Sequence, residues 1–204
     1  EEYLHPKSDN LELYYFNILF TCFCLLILIN GSNFIDGLNG LLLIYMTIVL
    51  YVLLDASLLS DTNLKLLFAS GGTYILFLFI TLIVITILNL INSLMLGDAG
   101  AYVLSFFVGY LIILCHNSNP NISPYFFITL LWYPCYENLF SILRKLKNKF
   151  SPLVPDNNHL HQLIFQRFSK DIKNKVIANN ACSILINIVN GIILLLAARY
   201  PYES

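Results

Sequence analysis

The sequence predicts an all-α, polytopic integral membrane protein with about six transmembrane helices in a single membrane domain, residues 1–204. Two observations carry that prediction and a third orients it. Of the residues, 58% are hydrophobic and 11% charged, against about 25% charged in a soluble domain. Mean hydropathy is +0.73. The charge-free stretches reach the length a helix needs to cross the hydrocarbon, about 20 residues. The basic residues fall unevenly on the two faces that such crossings define.

In chain order, 23 uncharged residues separate Glu12 from Asp36 and 18 separate Asp36 from Asp55. Uncharged runs then extend from Leu66 to Gly97, Ala99 to Tyr136 and Val176 to Ala198. The stretch HNSNPNISP at 116–124 divides the fourth run as a turn. Spans are therefore expected near 13–31, 38–56, 71–91, 99–115, 125–141 and 177–198. Backbone groups in lipid must be satisfied within the segment, which selects helices over open strands. Pro134 is expected to kink the fifth span. Six spans put loops 32–37, 92–98 and 142–176 on one face. Eight Lys and Arg lie between 144 and 175, against Lys7, Lys65 and Arg199 on the other face. The positive-inside rule makes the first face cytoplasmic. The five cysteines lack metal-ligand spacing and read as small buried hydrophobes. The chain begins EEYLHPKSDN, without an initiator Met or signal peptide. A Glu in second place disfavours Met removal, so a fragment lacking its N-terminal part is expected.

Three polar clusters stand out on the basic face. In NFIDGLNGL, 33–41, Asn33, Asp36 and Asn39 are three apart and would share a helix face. Their structural role would be an N-cap with packing glycines. A carboxylate flanked by amides at a membrane boundary is nonetheless a functional-site candidate. In LMLGDAGAY, 94–102, Asp98 sits between Gly97 and Gly100. It reads as an N-cap or as a Mg²⁺ carboxylate, since Mg²⁺ favours one or two carboxylates plus substrate phosphates. In PDNNHLHQLIFQR, 155–167, His159 and His161 would lie about 200° apart on a helix, unlike the i, i+4 pair of a helical zinc site. In an extended segment they face the same way. With Arg167 they could grip an anion; the alternative is a solvated loop on the headgroups. Glu137 is a further ionisable candidate, or an interfacial partner of Arg144 or Lys145. Asn89 and Asn92 could line a site or join helices.

Taken in order, NFIDGLNGL, MLGDAGAYVLSF and SPLVPDNNHLHQL resemble the polyprenyl-phosphate N-acetylhexosamine-1-phosphate transferases. These are the bacterial glycosyltransferase family 4 enzymes that start O-antigen and peptidoglycan lipid intermediates. The stretch from Asn119 to Leu163 looks closest to the O-antigen-type branch. The resemblance implies transfer of a sugar 1-phosphate from a UDP-sugar to undecaprenyl phosphate, with release of UMP and with Mg²⁺ or Mn²⁺ as cofactor. It implies a cytoplasmic-face active site in a bacterial inner membrane. Asp36, Asp98, His159 and His161 become candidate catalytic residues, with Asp98 the metal ligand. Asn33, Asn39, Asn89, Glu137, Asp156, Gln162 and Arg167 become candidate substrate-binding residues. Partners would be the two substrates and membrane lipid, without nucleic acid; a homodimer is compatible. The chain departs from the family in two ways. Gln162 stands where many members have histidine, and no adjacent Asp-Asp pair occurs. The family has about ten spans, and the six here match the last six. The competing expectations are a transporter or channel subunit, which would place its acids in mid-span, and an inactive structural fragment.

Overall fold

The computed structural model of the chain describes residues 11–54, 72–147 and 159–202. Among them are eight helices and no strand. These are α1 (Leu11–Ile35), α2 (Leu41–Leu53), α3 (Gly72–Leu90), α4 (Gly97–Ser118), α5 (Pro124–Leu130), α6 (Trp132–Lys147), α7 (Leu160–Asp171) and α8 (Lys175–Ala197). The chain is an all-α membrane protein. α1, α4 and α8 are each long and apolar enough to cross a bilayer, and α2 and α3 contribute shorter apolar helices.

α2 is the axis of the fold. It is apolar around its whole circumference, the pattern of a helix that must be enclosed. Nine of its 13 residues are buried, and it packs against α1, α3, α4 and α8. α1 behaves differently. It buries only Leu28, Gly31, Ser32 and Ile35 and leaves Phe16, Leu19, Phe23 and Leu26 exposed, the surface a lipid-facing helix presents. Its closest neighbour is α6, and Gly31 is the reason. A Cβ on Gly31 would run into the backbone carbonyl of Pro134, so only glycine allows this backbone approach. The Asn138 amide donates to the Ile27 carbonyl (3.0 Å) and locks the same pair.

The expected fifth span, 125–141, is not one helix. It breaks at Leu131 into α5 and α6, three residues before the expected kink site. The cause is still Pro134. It has no N–H to give the carbonyl of Leu130, four residues back. The buried Tyr45 hydroxyl donates to that carbonyl instead (2.9 Å) and receives the Tyr133 N–H (3.5 Å). One phenol on α2 thus satisfies both sides of the break. Asparagines do the same elsewhere, as backbone groups at membrane depth require. Asn180 donates to the Leu90 carbonyl (2.8 Å) at the end of α3, and Asn187 to the Leu41 carbonyl (3.2 Å).

The 142–176 loop is largely helical among its described residues. It carries the end of α6 and the whole of α7, which lies against α8 and turns Ile164 and Phe165 toward the core. The cysteines are free. Cys115 and Cys182 are buried as expected, whereas Cys22 and Cys24 on the lipid-facing α1 are exposed.

Candidate active site

The three polar clusters meet at one end of the bundle. The first is not a helix face. α1 stops at Ile35 and residues 36–40 turn before α2 begins. Asn33 therefore sits on the last turn of α1, while Asp36 and Asn39 lie in the turn itself. Asp36 caps nothing: the N-cap of α2 is Gly40, whose N–H is accepted by Asn89 Oδ1. Asn89 also donates to the Leu94 carbonyl (2.8 Å). It thus performs the helix-joining role, as does Asn92, whose Oδ1 lies 3.4 Å from Asn39 Nδ2. Asn39 is further held by Asn179 Oδ1, which accepts its backbone N–H (2.8 Å).

The second cluster opens α4. Its N-cap is Leu96, with no side-chain cap, and Asp98 stands exposed in the first turn. One turn on, the Tyr102 hydroxyl accepts from Asn33 Nδ2 (3.3 Å) and ties α4 to the end of α1. Asp36 and Asp98 feel each other. Burial, and then the charge of Asp98, push the Asp36 carboxyl up to about 7. Neither carboxylate has a hydrogen bond or ion pair within the described residues.

The third cluster is buried, not solvated. His159 is 4% exposed and His161 0%. His159 is the extended N-cap of α7 (φ −68°, ψ 149°) and His161 is in its first turn. Because the cap departs from helical geometry, the two rings stack in parallel, 5.6 Å apart and 13° from coplanar, instead of diverging. Phe34 packs on the His159 ring at 5.0 Å. The ring of His161 reaches the first cluster: its Nε2 would lie 3.0 Å from a Cβ on Gly37, next to Asp36. Among the described residues, both of its nitrogens are buried without a hydrogen-bond partner. Such orphaned groups are rare and costly, about 1–3 kcal/mol each.

Glu137, on α6, closes this half of the site. It is 2% exposed. One oxygen lies 3.0 Å from His159 Nδ1. The other accepts the Leu160 N–H (3.1 Å) and lies 3.8 Å from His161 Nδ1. Glu137 is thus a partner of the histidines, and not of Arg144, whose guanidinium stacks on Phe140 (5.4 Å). Gln162 accepts the His159 backbone N–H (3.3 Å), a capping contact. Arg167 is exposed and pairs with Asp171 (2.9 Å) on the outer face of α7, where no contact joins it to the histidines. Asp156 lies outside the described residues.

The sequence reading did not single out Tyr102, Asn179 or Phe34. Asn179 carried a signal: an amide run, Asn179-Asn180, at the start of an apolar helix asks for partners. Among the described residues no three His, Cys, Asp or Glu gather as a ready-made metal cage. The neighbouring carboxylates of Asp36 and Asp98 instead match the donor set of Mg²⁺ or Mn²⁺, hard oxygens that leave coordination positions to phosphates and water.

No family model matches the chain, and no solved structure matches it. It is similar to curated proteins named undecaprenyl-phosphate alpha-N-acetylglucosaminyl 1-phosphate transferase. With that of Yersinia pestis it shares 27% identity over 158 residues, 74% of this chain and 41% of the relative. With those of Escherichia coli K12 and Shigella flexneri it shares 26% over 155 residues, at the same coverage. The resemblance carried by the three motifs is therefore borne out by relatives. The chain spans about two fifths of the length of the curated relatives it matches.

Proposed function

We propose that this protein transfers N-acetylglucosamine 1-phosphate, or a closely related N-acetylhexosamine 1-phosphate, from its UDP-sugar to undecaprenyl phosphate. UMP is released and a lipid-linked surface glycan of the O-antigen kind begins. On this reading the site faces the cytoplasm across a bacterial inner membrane, where UDP-sugars are dissolved and the lipid phosphate sits at the headgroup plane. The observation that carries it is the meeting of two uncompensated aspartates with two buried histidines at one end of the bundle. The names of the relatives support the same chemistry.

In the reaction, an oxygen of the lipid phosphate forms a bond to the sugar-linked phosphorus of the UDP-sugar. The bond from that phosphorus to the bridging oxygen breaks, and the bridging oxygen leaves with UMP. Both reactants are anions, so the site must neutralise charge and align the attack. Asp98 and Asp36 would hold Mg²⁺ or Mn²⁺, which when bound supplies charge neutralisation at the diphosphate. His161, with unspent ring nitrogens beside the Asp36 turn, is placed to donate to a phosphate or sugar oxygen. Asn33 and Asn39 fix the turn that carries Asp36. The acids gather at the ends of α1 and α4 and not in mid-span, which favours surface chemistry over an ion path.

The test is Mg²⁺-dependent UMP release from UDP-N-acetylglucosamine by membranes carrying the protein, with undecaprenyl phosphate supplied. Asp98→Asn is expected to lower the rate by about 10²–10³-fold. A near-normal rate in that variant sinks the assignment.

A further inference from the structure

Glu137 is a buried acid that the proposed chemistry leaves without a role. It is too engaged to hold a metal or a substrate. One oxygen receives the first free N–H of α7, from Leu160, and the other faces His159 Nδ1. A carboxylate can only accept. The nitrogen of His159 that faces it must therefore carry the hydrogen, and Nε2 is left as the nitrogen presented to a ligand. The same carboxylate anchors the N-terminus of α7 to α6 across 23 residues of chain. Its other near group, His161 Nδ1 at 3.8 Å, is too far for a hydrogen bond. We infer that Glu137 is a positioning residue: it selects the His159 tautomer with hydrogen on Nδ1 and fixes the histidine pair against the Asp36 turn. Acids that orient an imidazole through its far nitrogen are a recurrent device at catalytic and metal centres.

This inference rests on the transferase reading for its consequence but not for its geometry, and one substitution separates the two. Glu137→Gln keeps the shape. The Leu160 N–H needs an acceptor, so it captures the amide oxygen and turns the amide NH₂ toward His159. Nδ1 then has to accept, and the hydrogen moves to Nε2. The protein has four histidines, so ¹⁵N-imidazole spectra of the labelled protein in micelles can be assigned by single substitutions. The expected result is a protonated Nδ1 at His159 in the wild type and an unprotonated Nδ1 in Glu137→Gln, with the helical circular dichroism unchanged. UMP release should fall about 10- to 100-fold through kcat, with the KM for UDP-sugar held within about twofold. The same His159 tautomer in both proteins overturns the inference, as does an unprotonated Nδ1 in the wild type. If the tautomer changes while neither protein releases UMP, the positioning role stands and the transferase reading falls.

Discussion

The two halves of the site hold their carboxylates in opposite ways. On the α6–α7 side, Glu137 is buried with both oxygens engaged, one by a backbone N–H and one by an imidazole. On the α1–α4 side, Asp36 and Asp98 sit near each other with no compensating cation among the described residues, and the Asp36 carboxyl is pushed up to about 7. A buried charge is tolerated when it is paired and hydrogen-bonded; two like charges left together are not a packing solution. On the proposed function, the contrast separates a carboxylate that the protein uses for itself from a pair it would keep for a ligand. Composition and spacing alone present all three as acids at span ends; only the family resemblance sets the two aspartates apart.

The largest expected effect comes from cutting the engaged carboxylate. Glu137→Ala strands the Leu160 N–H and the His159 ring in a site that is 2% exposed. Removing one member of a buried pair costs about 3–5 kcal/mol. Thermal unfolding in detergent should show a marked drop, whereas Asp98→Asn, which relieves a repulsion, should leave stability equal or raised. Equal losses in the two variants would erase the distinction between the halves. The next effect tests the seam where the halves touch. Gly37→Ala places a methyl 3.0 Å from His161 Nε2. The ring is fully buried and has little room to yield. The ring must give by a few tenths of an ångström, short of the roughly 1 Å misplacement that costs about 10²-fold in rate, so a smaller loss follows. We expect that loss in UMP release with the fold retained, and an unaffected rate would remove His161 from the site.

What was legible in the sequence was whatever lipid imposes locally. Apolar run lengths placed α1, α4 and α8 nearly to their ends, because a bilayer demands about 20 residues of oil and closed backbone hydrogen bonds. The three polar clusters that span parity put on one face meet at one end of the bundle. Less legible was anything decided by a partner far along the chain. Pro134 announced a disturbance, but the break fell at Leu131 because Tyr45, 85 residues earlier than Leu130, was available to satisfy its carbonyl. The same holds for Glu137. Its pairing with His159 spans an intervening basic run, Arg144 to Lys149, whose nearer cations looked the better partners. The sequence offered the histidines as an anion grip with Arg167 or as a solvated loop, and their burial was not legible because their own neighbours are polar; the aromatic and helical surroundings that bury them come from Phe34 and α8.

The remaining prediction is a pH dependence of stability, damped by the partial exposure of Asp36, and it addresses the aspartate half directly. The folded-state value at Asp36, about 7, lies above the ordinary carboxylate value of 3.8. Between those two values the folded protein holds a proton that the unfolded chain has released. Stability must therefore fall as pH rises through that window and level off above it. The contribution is isolated by subtracting the profile of Asp36→Asn, in which the other groups titrate alike. Asp98→Asn should shallow the slope without abolishing it, since burial is the larger cause and the charge of Asp98 the smaller. Mg²⁺ should oppose the trend: a cation shared by the two carboxylates favours their charged forms, so its stabilising effect grows as pH rises toward 7. If Mg²⁺ leaves the profile unchanged while the slope itself is present, the carboxylate pair is real but does not hold a cation without the substrate phosphates that would complete its coordination.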